Sequence, residues 1–204
     1  FEKVKMIVHP DSIAKASDLL NSKIQIVELS HDDCWARDSG AIFLLNDKNM
    51  LGGIDWEFNG WGKFKPYDSD NKIAQFMIEN SSATYFKNKM ILEGGSIHVD
   101  GEGTLLTTEQ CLLNKNRNPK LSKKEIEKNL KEYLNISKII WLKSGTDEGT
   151  DGHVDNVACF VKPGTVMALA CKDKSDPFYE KINENLEILK NTTDSKDRLL
   201  NVIE

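Results

Sequence analysis

Four side chains in this sequence have types and spacing that could do chemistry together: Asp38, Glu93, His153 and Asp155. Three are carboxylates and one is an imidazole. Carboxylates brought together repel unless a cation sits among them, and that cation is either a metal ion or a charged substrate. A planar guanidinium suits such a cluster, because it presents five N–H donors in a fixed fork that carboxylates grip bidentately. Asp38 and Asp155 could take opposite edges of it and Glu93 a third N–H. His153 is then free to move protons, the task for which an imidazole is suited near neutral pH. The rival is a divalent metal held by Glu93, His98, His153 and Asp155. No HExxH is present and the histidines lie in different segments, so the spacing speaks against a metal. Each residue also has a plainer reading. Asp38 after Arg37 could be a loop ion pair, Glu93 before two glycines a turn cap, and His153 a packed histidine.

The elements that must position these groups recur. Trp35-Ala36-Arg37-Asp38, Leu92-Glu93-Gly94-Gly95 and Asp151-Gly152-His153-Val154-Asp155 are the three polar elements, and Asp38, Glu93 and His153 follow one another by 55 and 60 residues on subtraction. Around each, the order is helix, strand, polar element, strand, tight turn, strand. A fixed period of this size is the mark of an internal repeat. Units arranged about an axis would bring all three groups to one point. His153 and Asp155 are expected on one face of an extended segment.

In detail, 3–9 reads as a strand, followed by a helix to Leu20 capped by Asp11 or Ser12, a strand over 24–29 and a polar loop over 30–40. Strands at 42–45 and 50–56 flank the turn Asn46-Asp47-Lys48-Asn49. A helix is expected over 68–79 and a strand over 90–92. Strands at 96–99 and 104–107 flank Asp100-Gly101-Glu102-Gly103. Ser122 and Glu125 form a capping box for a helix to Leu134. Strands follow at 138–142, 157–161 and 165–170, then a helix from Asp176-Pro177 to Leu189 and a strand over 199–203. Trp56 to Gly62 reads either as a packed aromatic loop or as a wall against a substrate. His98 points into packing or the rim of the site. Asn114 to Pro119 reads as a solvated loop. The approximate repeats are 1–60, 61–115, 116–175 and the start of another at 176–204, within one α/β domain.

Composition sets the surroundings. The 204 residues are 39% hydrophobic and 29% charged, with a net charge of −5, which is ordinary for a globular chain and offers no basic face to nucleic acid. The four cysteines, at 34, 111, 159 and 171, form no CxxC pair and read as reduced thiols, with Cys111 and Cys159 as small core residues. No stretch has the apolar length of a membrane span and no signal peptide is in view, so a cytoplasmic protein is expected. The sequence leaves a homo-oligomer open.

Taken in order, Trp35 to Gly40, Asp55-Trp56 with Phe58-Asn59 and Trp61-Gly62, the run Leu92 to Thr104, Asn116 to Pro119, and Asp151 to Asn156 resemble the agmatine deiminases. These belong to the bacterial-type peptidylarginine deiminase group of the pentein fold. The resemblance implies an α/β propeller of five αβ repeats around a central pocket, with about three and a half present here. It implies hydrolysis of agmatine to N-carbamoylputrescine and ammonia, with neither metal nor cofactor. Asp38 and Asp155 would bind the guanidinium, Glu93 would orient and polarise it, and His153 would act as general acid and base. Trp35 and Trp61 would shape the pocket. Within Asp147-Glu148-Gly149, Glu148 would meet the distal ammonium. A thiolate would attack the guanidinium carbon and the covalent thiouronium would then be hydrolysed. The resemblance puts that cysteine beyond residue 204, so this chain alone is expected to be inactive. Cys34 is not expected to substitute for it. The alternatives are a non-catalytic, truncated pentein that holds guanidines, and an arginine or peptidyl-arginine deiminase. Free arginine would need a basic partner for its α-carboxylate, which the acidic loop at 147–148 does not offer.

Overall fold

The computed structural model describes residues 3–204. Its strands are short and its helices cross between parallel pairs. In chain order the elements are β1 (Lys5–Val8), α1 (Ile13–Leu19), β2 (Gln25–Glu28), α2 (Ala36–Ser39), β3 (Ile42–Leu45), β4 (Leu51–Glu57), α3 (Ile73–Glu79) and β5 (Thr84–Ile91). Then come β6 (Ile97–Val99), β7 (Thr104–Thr108), α4 (Glu109–Leu112), α5 (Lys123–Leu134) and β8 (Lys138–Leu142). The last are β9 (Ala158–Lys162), β10 (Thr165–Ala168), α6 (Tyr179–Lys190) and β11 (Asn201–Ile203).

One pattern builds three of the sheets. β3–β4–β5, β6–β7–β8 and β9–β10–β11 each join an antiparallel hairpin to a third strand parallel to the hairpin's second strand. A helix, α3, α5 or α6, makes the crossover that a parallel pair requires. β1 and β2 pair in parallel around α1, which is the second half of the same pattern. The chain is therefore α/β with mixed sheets. No helix among the described residues is long and apolar enough to cross a membrane.

Local chemistry explains these elements. At α5 the Ser122 side chain accepts from Glu125 N–H, while Glu125 Oε2 accepts from Ser122 N–H at 2.7 Å, which closes the capping box. Ile126, Leu130 and Leu134 follow at helical spacing, and all three are buried. Asn135 ends the helix in the left-handed region at φ 51°. In the β6–β7 turn, Asp100 Oδ1 accepts from the N–H groups of Glu102 and Thr104, each at 2.8 Å. Two apolar cores result. One packs Ile54, Trp56, Leu92, Leu105 and the buried face of α5; the other packs Leu142, Val166 and the buried face of α6.

Several expectations change. The polar loop over 30–40 contains α2. The strand expected over 90–92 is the end of β5, which begins at Thr84. The helix expected over 68–79 is a 3-10 turn at Asp70–Lys72 followed by α3. The Asp70 carboxylate accepts instead from Asp32 and Asp33 N–H, pinning the loop before α2. His153, Val154 and Asp155 are not an extended segment, because a 3-10 turn runs over Val154–Asn156 with His153 at its N-cap. Trp56 is a core residue on β4, its ring 5.5 Å from that of Tyr133.

Candidate active site

Each polar element is a short turn that hands the chain into the hairpin of its sheet. Asp38 lies in α2, Glu93 is the N-cap of the 3-10 turn Gly94–Ser96, and His153 is the N-cap of the turn after it. The turns pack against one another, α2 on the second and the second on the third. Glycine makes this approach possible. A Cβ on Gly94 would lie 2.1 Å from the Arg37 carbonyl oxygen. A Cβ on Gly95 would lie 2.6 Å from Asp155 Oδ2 and 2.7 Å from both Asp38 Oδ1 and His153 Nδ1. Gly95 is thus the hub on which three ionisable groups from two other turns close.

Asp38 is buried and doubly held. Gly95 N–H donates to its Oδ1 at 2.8 Å, and the Trp61 indole N–H donates to its Oδ2 at 2.9 Å. Trp61 reaches it because Gly60, Trp61 and Gly62 all adopt left-handed backbone, with φ of 64°, 55° and 71°. That conformation is costly for a bulky side chain and is retained where surroundings over-determine it. Phe58 and Phe64 supply edge-on packing at ring centroids of 5.0 and 5.9 Å. Trp35, by contrast, is 59% exposed.

His153 is buried between two acids, Nδ1 being 3.7 Å from Asp38 Oδ1 and Nε2 being 3.9 Å from Glu93 Oε2. Neither separation is a hydrogen bond. His153 Nε2 and Glu93 Oε2 are both buried without a partner. These two polar atoms face each other 3.9 Å apart in the interior, and such unsatisfied buried groups are rare. Asp155 opens onto solvent. Desolvation raises its carboxyl above the usual range, with His153 pulling it back and Asp38 pushing it further.

The other Glu93 oxygen is clamped. Arg117 Nε donates to Oε1 at 2.6 Å, its Nη1 donates to Asp151 Oδ2 at 2.7 Å, and its Nη2 donates to the Thr150 carbonyl at 3.0 Å. The expectation of a solvated loop over 114–118 and Pro119 fails at Arg117, whose side chain is fully buried. That segment is polar throughout, and only the acids from other segments make burial of its arginine tolerable. Burial works against the guanidinium's charge, but Glu93 and Asp151 outweigh it and hold Arg117 above its ordinary range. Asp151 lies below its own range: burial is overcome by Asn116, Lys63 and Arg117.

Glu148 is exposed and joins this network through its main chain, its carbonyl accepting from Lys63 Nζ. Its neighbour Asp147 is half-buried, and Thr150 foremost, through its hydroxyl, holds that carboxyl low. His98 packs instead of joining the cluster: its Nδ1 accepts from Phe160 N–H at 3.3 Å. The set Glu93, His98, His153 and Asp155 is therefore not a metal constellation. Glu93, Cys111 and His153 do bring ligand atoms within 4.8 Å of one another. Burial, and then the charge of Glu93, push the Cys111 thiol well above its usual range, which disfavours the thiolate a metal would need. Cys34 is exposed.

The chain as a whole resembles known proteins in sequence and in fold. The model of the Porphyromonas-type peptidyl-arginine deiminase family matches residues 1–204. A protein of Legionella pneumophila, whose name proposes an agmatine deiminase, is 46% identical over 205 residues, or 99% of this chain and 59% of that protein. A solved agmatine deiminase of Enterococcus faecalis superposes with a TM-score of 0.97 at 41% identity, covering 99% of this chain and 57% of that one. A C. jejuni agmatine deiminase solved with substrate bound gives 0.87 at 32% identity, covering 100% and 60%. The chain spans about three fifths of the length of the relatives it matches.

Proposed function

The chain belongs to the Porphyromonas-type peptidyl-arginine deiminase family, and on that premise we propose that it forms the guanidine-binding part of an agmatine deiminase. In this reading the protein hydrolyses agmatine to N-carbamoylputrescine and ammonia, and its repeated sheets belong to a propeller of αβ units around a central pocket. The observation that carries the reading is the closure of Asp38, His153 and Asp155 on Gly95, with Glu93 Oε2 left unpartnered beside His153 Nε2.

The guanidinium lies against this hub. Asp38 and Asp155 accept from its edges, and Glu93 Oε2 accepts a third N–H. With its charge so held, the central carbon is open to a nucleophilic thiolate. His153 gives a proton to the departing ammonia and then takes one from the water that hydrolyses the thiouronium. Among the four cysteines here, Cys111 is held protonated, Cys34 is exposed, and Cys159 and Cys171 lie in and after the β9–β10 hairpin. In this reading, as the family resemblance implies, the thiolate is supplied by a cysteine outside these residues. Trp61 fixes Asp38, Trp35 forms the outer rim of the pocket, and the acidic segment Asp147-Glu148 attracts the distal ammonium. Glu148 is the residue proposed to meet it.

Ammonia release by the full-length protein tests the reading. Turnover of agmatine in preference to arginine, abolished by His153→Ala, is expected. Turnover of arginine alone would select the other deiminase reading, and agmatine binding without ammonia would select the non-catalytic one.

A further inference from the structure

We propose that Arg117 is a positioning residue that presents Glu93 Oε2 to the substrate and couples Glu93 to the turn carrying His153. The inference rests on the reading of the site as a guanidine-hydrolysing centre.

Arg117 does not face the pocket. Its guanidinium lies behind Glu93, and apart from a bond to its neighbour Asn116 its side chain bonds only segments that deliver a site residue. Nε holds Glu93 Oε1, while Nη1 and Nη2 hold Asp151 and the Thr150 carbonyl, two and three residues before His153. The same segment reaches the Trp61 turn. Asn59 Nδ2 donates to the Asn116 carbonyl at 2.8 Å, and Lys63 Nζ pairs with Asp151 Oδ1 at 2.6 Å. Asn116 in turn donates to Asp151 Oδ2 at 2.9 Å and accepts from Arg117 Nη1 at 2.7 Å. One buried arginine thus braces the turns that carry Glu93 and His153, and its neighbours Asn116 and Asp151 extend the link to the turn that carries Trp61.

The consequence for Glu93 is specific. A carboxylate with both oxygens free could rotate to present either. Here the Nε bond occupies Oε1, so Oε2 alone remains, buried and aimed at His153 Nε2. A lysine could supply the charge, but a single ammonium cannot span Glu93, Asp151 and the Thr150 carbonyl in one plane. Burial also explains the choice of partner, because an unpaired carboxylate at this depth would be expensive.

The test is a double-mutant cycle in the full-length protein with agmatine as substrate. If Arg117 acts through Glu93, Arg117→Lys lowers kcat by about 100-fold in the wild-type background but by less than about 3-fold on top of Glu93→Gln. KM should move much less than kcat. Equal, multiplying losses in both backgrounds would overturn the assignment and leave Arg117 as a fold residue. Where Arg117→Lys fails to fold, Asp151→Asn reads the same link from its other end, with the same non-additivity expected. Wild-type protein that neither binds agmatine nor releases ammonia would overturn the functional reading itself, and this assignment with it.

Discussion

Two arginines in this molecule make nearly the same bonds and have different consequences. Arg117 joins Glu93 and Asp151 at 2.6 and 2.7 Å; Arg198 joins Asp194 and Glu102 at 2.5 and 2.6 Å. Both tie a loop to an acid distant in sequence. Arg117 is fully buried, whereas Arg198 is 43% exposed and shares Glu102 with Lys196. In the interior, loss of one partner leaves the other as an uncompensated buried charge. Around Arg198 the acids keep other partners: exposed Glu102 also pairs with Lys196, and buried Asp194 still accepts from the backbone N–H groups of Lys196 and Arg198. Bond length therefore says little about which bridge the site depends on, and burial says much.

The sharpest break of this comparison is Arg117→Met. It should cost about 3–5 kcal/mol of unfolding free energy in urea, because Glu93 stays buried. A loss near zero would erase the distinction between the two arginines. Gly95→Ala comes next, and it separates site from scaffold. The nearest atoms to the added methyl belong to the Asp38, His153 and Asp155 side chains and none to backbone, so activity should fall about 100-fold with a smaller loss of stability than Arg117→Met causes. Trp61→Phe keeps the ring packing and removes the N–H on Asp38, with an expected loss of about 1–2 kcal/mol.

Asp151 and Asp155 extend the contrast to pH. Asp151, low in the folded state, stabilises the protein above the usual carboxylate range, and that contribution is lost as pH falls through its lowered pKa. Asp155, raised in the folded state, opposes folding once ionised. Asp151→Asn should therefore lower Tm near neutral pH and Asp155→Asn should raise it, with both differences fading in acid. Parallel shifts of the same sign would contradict the assignment. Arg198→Met should move Tm the least, within about 2 °C.

Much of the fold was legible because its signals are local. Ser122 with Glu125, the Asp100 turn and the alternation of helices and strands each act within a few residues. The three polar elements were visible because they recur, and Asp38, His153 and Asp155 do converge. The hub itself was not visible. Gly95 reads as a turn glycine until two other turns are seen to close on it. Arg117 was hidden for a similar reason, since a run of Asn, Lys and Pro looks solvated, and only acids from two other segments bury its arginine. Its one signal was that Asn116 to Pro119 recurred among the segments that carried the family resemblance.

The central claim is that the hub at Gly95 receives a guanidinium. A crystal structure of the full-length Glu93→Gln variant soaked with agmatine tests it most directly. The guanidinium plane is expected between Asp38 and Asp155, with an N–H directed at residue 93 and the central carbon beside His153. Agmatine bound elsewhere, or bound with its ammonium end at Asp38 and Asp155, would contradict it.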